Sequence, residues 1–256
     1  MSFITVTFES YILGMECTAN VILPQSSPSK PVKKPFRTLY LLHGLSDDHS
    51  AWSRYSSIER YAKEYGIAVV MPCAHKSFYT NLKNGDRYFD FISDELIGIM
   101  EEMFPLSNKR EDRFIAGISM GGYGAFKCAL TCSDKYTAAA SLSGALDVKG
   151  LHQRSNEDIK KQFAGMYENY TADTESNDLF ILAEKLNNKN CPKPKLYIWC
   201  GTEDYLYIDN VKFNEFIQKT DFDVTYEESR GYHVWQYWDM QIKRALEVMC
   251  RNCFIG

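Results

Sequence analysis

Gly117-Ile118-Ser119-Met120-Gly121 is the stretch on which the reading of this chain turns. Before it, Asp112-Arg113-Phe114-Ile115-Ala116 reads as a short buried strand. After it, Gly122-Tyr123-Gly124-Ala125-Phe126-Lys127-Cys128-Ala129-Leu130 reads as the start of a helix bearing Ala and Gly. A strand that turns sharply through a serine into a helix holds the hydroxyl at the tip of the turn, and the tight turn demands small residues on both sides. The helix N-terminus directs its unused N–H groups and positive dipole end at the same point. The pentapeptide by itself also fits a plain Gly/Ser loop between a strand and a helix, so the flanking chain has to decide.

Working outward, apolar runs and helical stripes alternate. Phe3–Leu13 and Cys17–Leu23 predict a hairpin around Gly14, followed by the Pro-rich loop Pro24–Pro31. Arg37–Leu42 and Ile67–Met71 are continuous apolar runs, as in strands buried on both faces. Between them, Ser53–Tyr65 reads as one helix stopped by Gly66. Ile92, Leu96, Ile99, Met100 and Met103 form a helical stripe. Downstream, Tyr136–Leu142, Lys195–Cys200 and Asp223–Tyr226 read as strands, and Val211–Lys219 and Gln236–Cys250 as helices. The alternation predicts an α/β fold with a mostly parallel central sheet, helices on both faces and an N-terminal antiparallel hairpin. The polar segment Gly150–Asn190, with its own Phe163, Tyr167, Tyr170 and Phe180, interrupts the pattern. It reads equally as a small helical cap at about 150–190 or as a long crossover connection.

The chain has 256 residues, 45% of them hydrophobic, enough for one large core, so we read 1–256 as a single domain. A net charge of −4 gives no electrostatic footprint for nucleic acid. No run of 18 apolar residues predicts a membrane span, and the alternating N-terminus has no basic and apolar leader pattern. These features point to a cytoplasmic protein. The eight cysteines are irregularly spaced in a large chain and read as reduced thiols. Neither Cys128/Cys132 nor Cys250/Cys253 has partners at zinc-site spacing, so no metal or other cofactor is expected.

A serine hydroxyl needs a base within hydrogen-bond reach, and the base needs an orienting carboxylate. In a sheet of this kind the chain order is Ser, then Asp or Glu, then His. Only His152 and His233 follow Ser119. His152 opens the polar insertion, whereas His233 lies in a loop just before the last helix. Glu203, Asp204 and Asp209 all follow the strand Lys195–Cys200, at the sheet edge where open α/β folds bind ligands. Asp204 is the preferred orienter, and Asp209 is expected to be a helix N-cap. Two N–H donors for an oxyanion are expected from Met120, just after the serine, and Leu45, beside Gly44. His43 then reads as a brace of that loop. Trp52, Phe78, Tyr79 and Trp235 are candidate linings of an acyl or aromatic pocket.

Four blocks in this order resemble the putative-esterase branch of the α/β-hydrolases, which includes tributyrin and acetyl esterases, cinnamoyl (feruloyl) esterases and S-formylglutathione hydrolases. The blocks are Leu41–Trp52, Gly117–Ala125, Gly201–Asp204 and His233–Asp239. The resemblance covers nearly the whole chain. It implies an α/β-hydrolase fold with Ser119 as nucleophile, His233 as base and Asp204 as orienter. It also implies a metal-free hydrolase acting on a small-molecule ester of a short acyl chain or small aromatic acid, often as a homo-oligomer, with thioester hydrolysis as the alternative.

Overall fold

The computed structural model describes residues 1–26, 31–82, 85–155, 157, 160 and 174–250. The alternating N-terminus forms strands β1 (Ser2–Ser10) and β2 (Met15–Leu23), paired antiparallel. Gly14 closes their turn at φ 65°, a left-handed conformation glycine adopts without steric cost. The later apolar runs become β3 (Thr38–Leu42), β4 (Ala68–Pro72), β5 (Arg113–Ile118), β6 (Ala138–Leu142) and β7 (Lys195–Gly201), with β8 (Val224–Ser229) at the far edge. The sheet order is β1-β2-β4-β3-β5-β6-β7-β8. β2 joins β4 antiparallel, and every neighbouring pair from β4 to β8 is parallel. β3 to β6 are buried along their full length because helices cover both faces.

One core layer joins inward residues of the sheet to Met120, Tyr123 and Phe126 of α5 (Met120–Thr131), among others. The opposite layer packs Ile58 and Ala62 against Trp238, Ile242 and Leu246 of the C-terminal helix. Two of these helices depart from the sequence expectation. The expected helix at 53–65 is broken into α1 (Ala51–Tyr55) and α2 (Ile58–Tyr65). The Ser56 hydroxyl donates to the Trp52 carbonyl (2.5 Å), and the Ser57 N–H donates to Asp239 of the C-terminal helix (2.7 Å), so side chains take over bonds a continuous helix would use. The stripe at 92–103 is helical but composite: α3 (Tyr88–Asp90) passes through a π-helical turn (Phe91–Glu95) into α4 (Leu96–Met103). Glu95, in that turn, accepts from the Ser10 hydroxyl (2.5 Å) and the Tyr11 N–H (2.8 Å), tying the helix to the hairpin.

Within the interrupting segment, α6 (Val148–Arg154), α7 (Thr174–Asn177) and α8 (Leu179–Asn187) are described. Phe163, Tyr167 and Tyr170 lie outside the described residues, as does Cys253. Phe180 packs edge-on to Phe213 (5.2 Å) and tilted against Phe216 (5.1 Å) of α9 (Tyr207–Ile217). The closing helix, α10, spans Trp235–Met249. The other seven cysteines are free thiols.

Candidate active site

Ser119 stands between β5 and α5 with φ 52° and ψ −119°, a conformation a non-glycine residue adopts only where its surroundings enforce it. Its N–H donates to the Leu142 carbonyl of β6 (3.0 Å), and its carbonyl accepts from Ala145 (3.2 Å). The small flanking residues are sterically required. A Cβ on Gly121 would lie 2.5 Å from the Leu42 carbonyl oxygen and 2.6 Å from that of His43, both backbone atoms. The start of α5 is therefore pressed against the end of β3. This contact brings the loop carrying Leu45 beside the first turn of α5, which Met120 opens and whose N–H groups the helix does not itself use.

That loop is fixed from behind. The Ala74 N–H donates to His43 Nε2 (2.9 Å), so the ring proton sits on Nδ1 and is donated to the Gly44 carbonyl (2.8 Å). Burial lowers the His43 pKa to about 4, which keeps this neutral tautomer in place. The Tyr79 hydroxyl donates to the His43 carbonyl (2.9 Å). His43 thus braces the loop, as its position in the sequence suggests.

The histidine and the carboxylate arrive from the ends of β7 and β8. A Cβ on Gly201 would meet the Gly231 carbonyl oxygen at 2.3 Å, so the two loops touch through their backbones. Glu203 fastens them further, accepting from the Gly231 N–H (2.7 Å) and pairing with Arg230 (3.1 Å). Asp204 points the other way, with its side chain fully buried. It accepts from the Leu206 N–H (2.9 Å) and from His233 Nδ1 (2.8 and 3.0 Å). A carboxylate only accepts, so Nδ1 carries the proton and Nε2 is left to accept from the Ser119 hydroxyl at 3.0 Å. Ser119, His233 and Asp204 therefore form one continuous hydrogen-bonded line, able to pass a proton from Oγ to Nε2 while the carboxylate steadies the imidazolium.

Two aromatic rings enclose His233: Trp238 edge-on at 4.9 Å and Tyr205 tilted at 4.5 Å. The Trp238 indole is itself held by the Ser143 hydroxyl (3.0 Å). Burial and the Asp204 charge raise the Tyr205 phenol above its usual pKa, partly offset by hydrogen bonding from the Ser119 hydroxyl. Sequence reasoning passed over Tyr205, although it directly follows Asp204.

Several expectations need correction. Trp52 is buried in the core beneath α1, its indole donating to the Leu42 carbonyl (3.0 Å) and its ring edge-on to Trp235 at 5.0 Å. Phe78 and Tyr79 are also core residues: Phe78 packs near Tyr123, and Tyr79 lies so close to Gly124 that a Cβ there would meet its ring at 2.4 Å. Trp235 is half-buried among Trp52, Tyr55 and Trp238. Apolar packing, not an open pocket wall, accounts for Trp52, Phe78 and Tyr79. Asp209 does not cap its helix. α9 begins at Tyr207, four residues earlier than expected, with Leu206 at the N-cap position. Asp209 lies inside the first turn, wholly buried and paired with Arg154 of α6. Asp147 caps α6 and pairs with Lys212.

The Putative esterase family model matches residues 10–249. An acetyl esterase of Caldicellulosiruptor saccharolyticus is 31% identical over 268 residues, covering 98% of this chain and 99% of that protein. The substrate-bound structure of FphF, a fluorophosphonate-binding serine hydrolase of Staphylococcus aureus, superposes with a TM-score of 0.87 at 38% identity, covering 97% of this chain and 98% of that one. The S-formylglutathione hydrolase FrmB of Staphylococcus aureus gives a TM-score of 0.85 at 38% identity over the same shares. Fold, family match and relatives agree: the chain belongs to the putative-esterase family of α/β-hydrolases and is a serine hydrolase of carboxylic esters.

Proposed function

We propose that Ser119 is the nucleophile, His233 the general base and Asp204 its orienter, in the hydrolysis of esters of short acyl chains or compact aromatic acids. The observation that carries this reading is the unbroken line from Ser119 Oγ through His233 to the buried Asp204 carboxylate, at 3.0 and 2.8 Å. Oγ attacks the ester carbonyl as Nε2 takes its proton. The Leu45 and Met120 N–H groups stabilise the oxyanion. The C–O bond to the alcohol then breaks, and the alcohol leaves with the proton from Nε2. Water attacks the acyl-enzyme with His233 again as base, releasing the acid and free Ser119.

In this reading the chain is one domain, 1–256, with α7 of the interrupting segment fastened to α5: Asn177 accepts from the Tyr123 hydroxyl (2.8 Å) and Lys127 Nζ (2.5 Å). The protein acts in the cytoplasm on small-molecule esters, and self-association is measurable by sedimentation. The likeness to an S-formylglutathione hydrolase favours one second reading, thioester hydrolysis by the same residues. Matched acetyl esters and thioesters separate the two.

Replacing Ser119 by Ala tests the core assignment. Ester hydrolysis should fall by about 10⁴-fold or more, and covalent labelling by a fluorophosphonate should vanish, with unfolding temperature near that of the parent. Parent-like turnover in Ser119→Ala would refute the nucleophile assignment.

A further inference from the structure

Tyr205 stands where the mechanism has assigned no group. It immediately follows Asp204, and its ring lies 4.5 Å from the His233 imidazole, whose Nε2 holds the Ser119 hydroxyl at 3.0 Å. The residue is nonetheless 65% exposed, so it lies at the mouth of the site and not in the core beneath it. Asp204 fixes the start of this turn by accepting from the Leu206 N–H (2.9 Å), so the backbone carrying Tyr205 is held by the same carboxylate that holds His233.

The position of the leaving alcohol follows from the chemistry. Its oxygen is bonded to the carbon that Oγ attacks, and it must also come within reach of Nε2 to receive the proton. It therefore lies beside both Oγ and the imidazole. A phenol ring that rests along the imidazole, at 4.5 Å, borders that same place. On this juxtaposition we propose that Tyr205 is a further catalytic residue, whose hydroxyl donates a hydrogen bond to the leaving-group oxygen as the C–O bond breaks. No proton is transferred from the phenol. It stabilises the charge that gathers on the alkoxide until His233 Nε2 delivers the proton, and the alcohol then departs neutral. The proposal rests on the roles assigned above to Ser119 and His233.

A hydrogen bond to the leaving oxygen matters in proportion to the charge that oxygen carries. 4-Nitrophenolate disperses its charge and needs little help, whereas an alkoxide from a simple alcohol needs much. Tyr205→Phe keeps the ring against His233 and removes only the hydroxyl. The experiment measures kcat/KM for both proteins on acetate esters of 4-nitrophenol, phenol, trifluoroethanol and ethanol. Fluorophosphonate labelling of each protein serves as control. The expected loss in Tyr205→Phe is about twofold for the nitrophenyl ester and roughly tenfold or more for the ethyl ester, giving a steeper dependence on leaving-group pKa. Equal losses across the series, no loss, or a gain would each overturn the proposal. If the parent protein itself resists labelling, or Ser119→Ala retains activity, the nucleophile assignment fails instead, so the two failures are distinguishable.

Discussion

Between Glu203 and Asp204 the backbone turns so that one carboxylate meets the Gly231 N–H and Arg230 while the other is buried against His233. Their substitutions should therefore separate cleanly. Asp204→Asn keeps the shape but can no longer hold Nδ1 as a donor to a carboxylate, and kcat should fall by about 10⁴. Glu203→Gln retains an acceptor for Gly231 and loses only charge-assisted strength, so kcat should change by less than about tenfold. Steady-state kinetics on one good ester reads both, and a collapse confined to Glu203→Gln would assign the orienter to the wrong residue. The three residues of the line were legible in the sequence because each follows the end of a predicted strand in a fixed order. Trp52 and Tyr79 were not: an aromatic residue obeys the same apolar pattern whether it faces a pocket or fills a core. Tyr205 escaped notice for a related reason, since a tyrosine in a turn carries no periodic signal and only the folded loop lays its ring on His233.

At the scale of elements, the strands were the most legible part, because burial on both faces leaves a continuous apolar run. Helix boundaries were less so. Ser56 and Ser57 break a helix through bonds to Trp52 and to distant Asp239, the second invisible to local reasoning. The early start of α9 likewise moves Asp209 from a presumed cap into a buried ion pair that joins α9 to α6. Burial raises the Asp209 pKa from 3.8 to about 6, against the opposing pull of Arg154. The sign follows from proton binding. Between these two values the folded state holds the proton more tightly than the unfolded chain, so this group's contribution to stability falls as pH rises from about 4 to about 6. Above that window Asp209 is a charge held in a dry place, with Oδ1 unpartnered. Asp209→Asn removes the charge and keeps the volume. The variant should gain on the order of 1 kcal/mol at pH 7, and the gain should shrink below pH 5. Its kcat should be unchanged, since Asp209 does not touch the Ser119–His233–Asp204 line. Thermal unfolding of both proteins at pH 4, 5.5 and 7 measures this, and a variant less stable than the parent at pH 7 would show that the Arg154 pair outweighs the burial of the charge.

Across the whole molecule, the loops at the C-terminal ends of β3, β5, β7 and β8 meet above one edge of the sheet, and the two core layers below hold them in place. Most apolar residues of the described part of the interrupting segment are already engaged. Leu179, Ala183 and Leu186 of α8 are buried in the core layer that includes Tyr123 and Phe126 of α5. Phe180 packs edge-on and tilted against Phe213 and Phe216. α6 is short and largely polar, and is held to α9 by its ion pairs. Among the described residues no helix is long and apolar enough to cross a membrane. A lipase-like lid needs an apolar face free to meet a lipid surface, and these helices have spent theirs on packing. Phe78, Tyr79 and Tyr123 are closely packed in the same layer, so long acyl chains would have to displace core side chains. On 4-nitrophenyl esters, kcat/KM should be highest from acetyl to butyryl and fall by roughly tenfold or more by octanoyl, because added methylenes gain no pocket to fill. The same esters presented as micelles should show no jump in rate at the critical micelle concentration. A steady rise toward long chains, or activation at the micellar interface, would overturn the short-acyl preference.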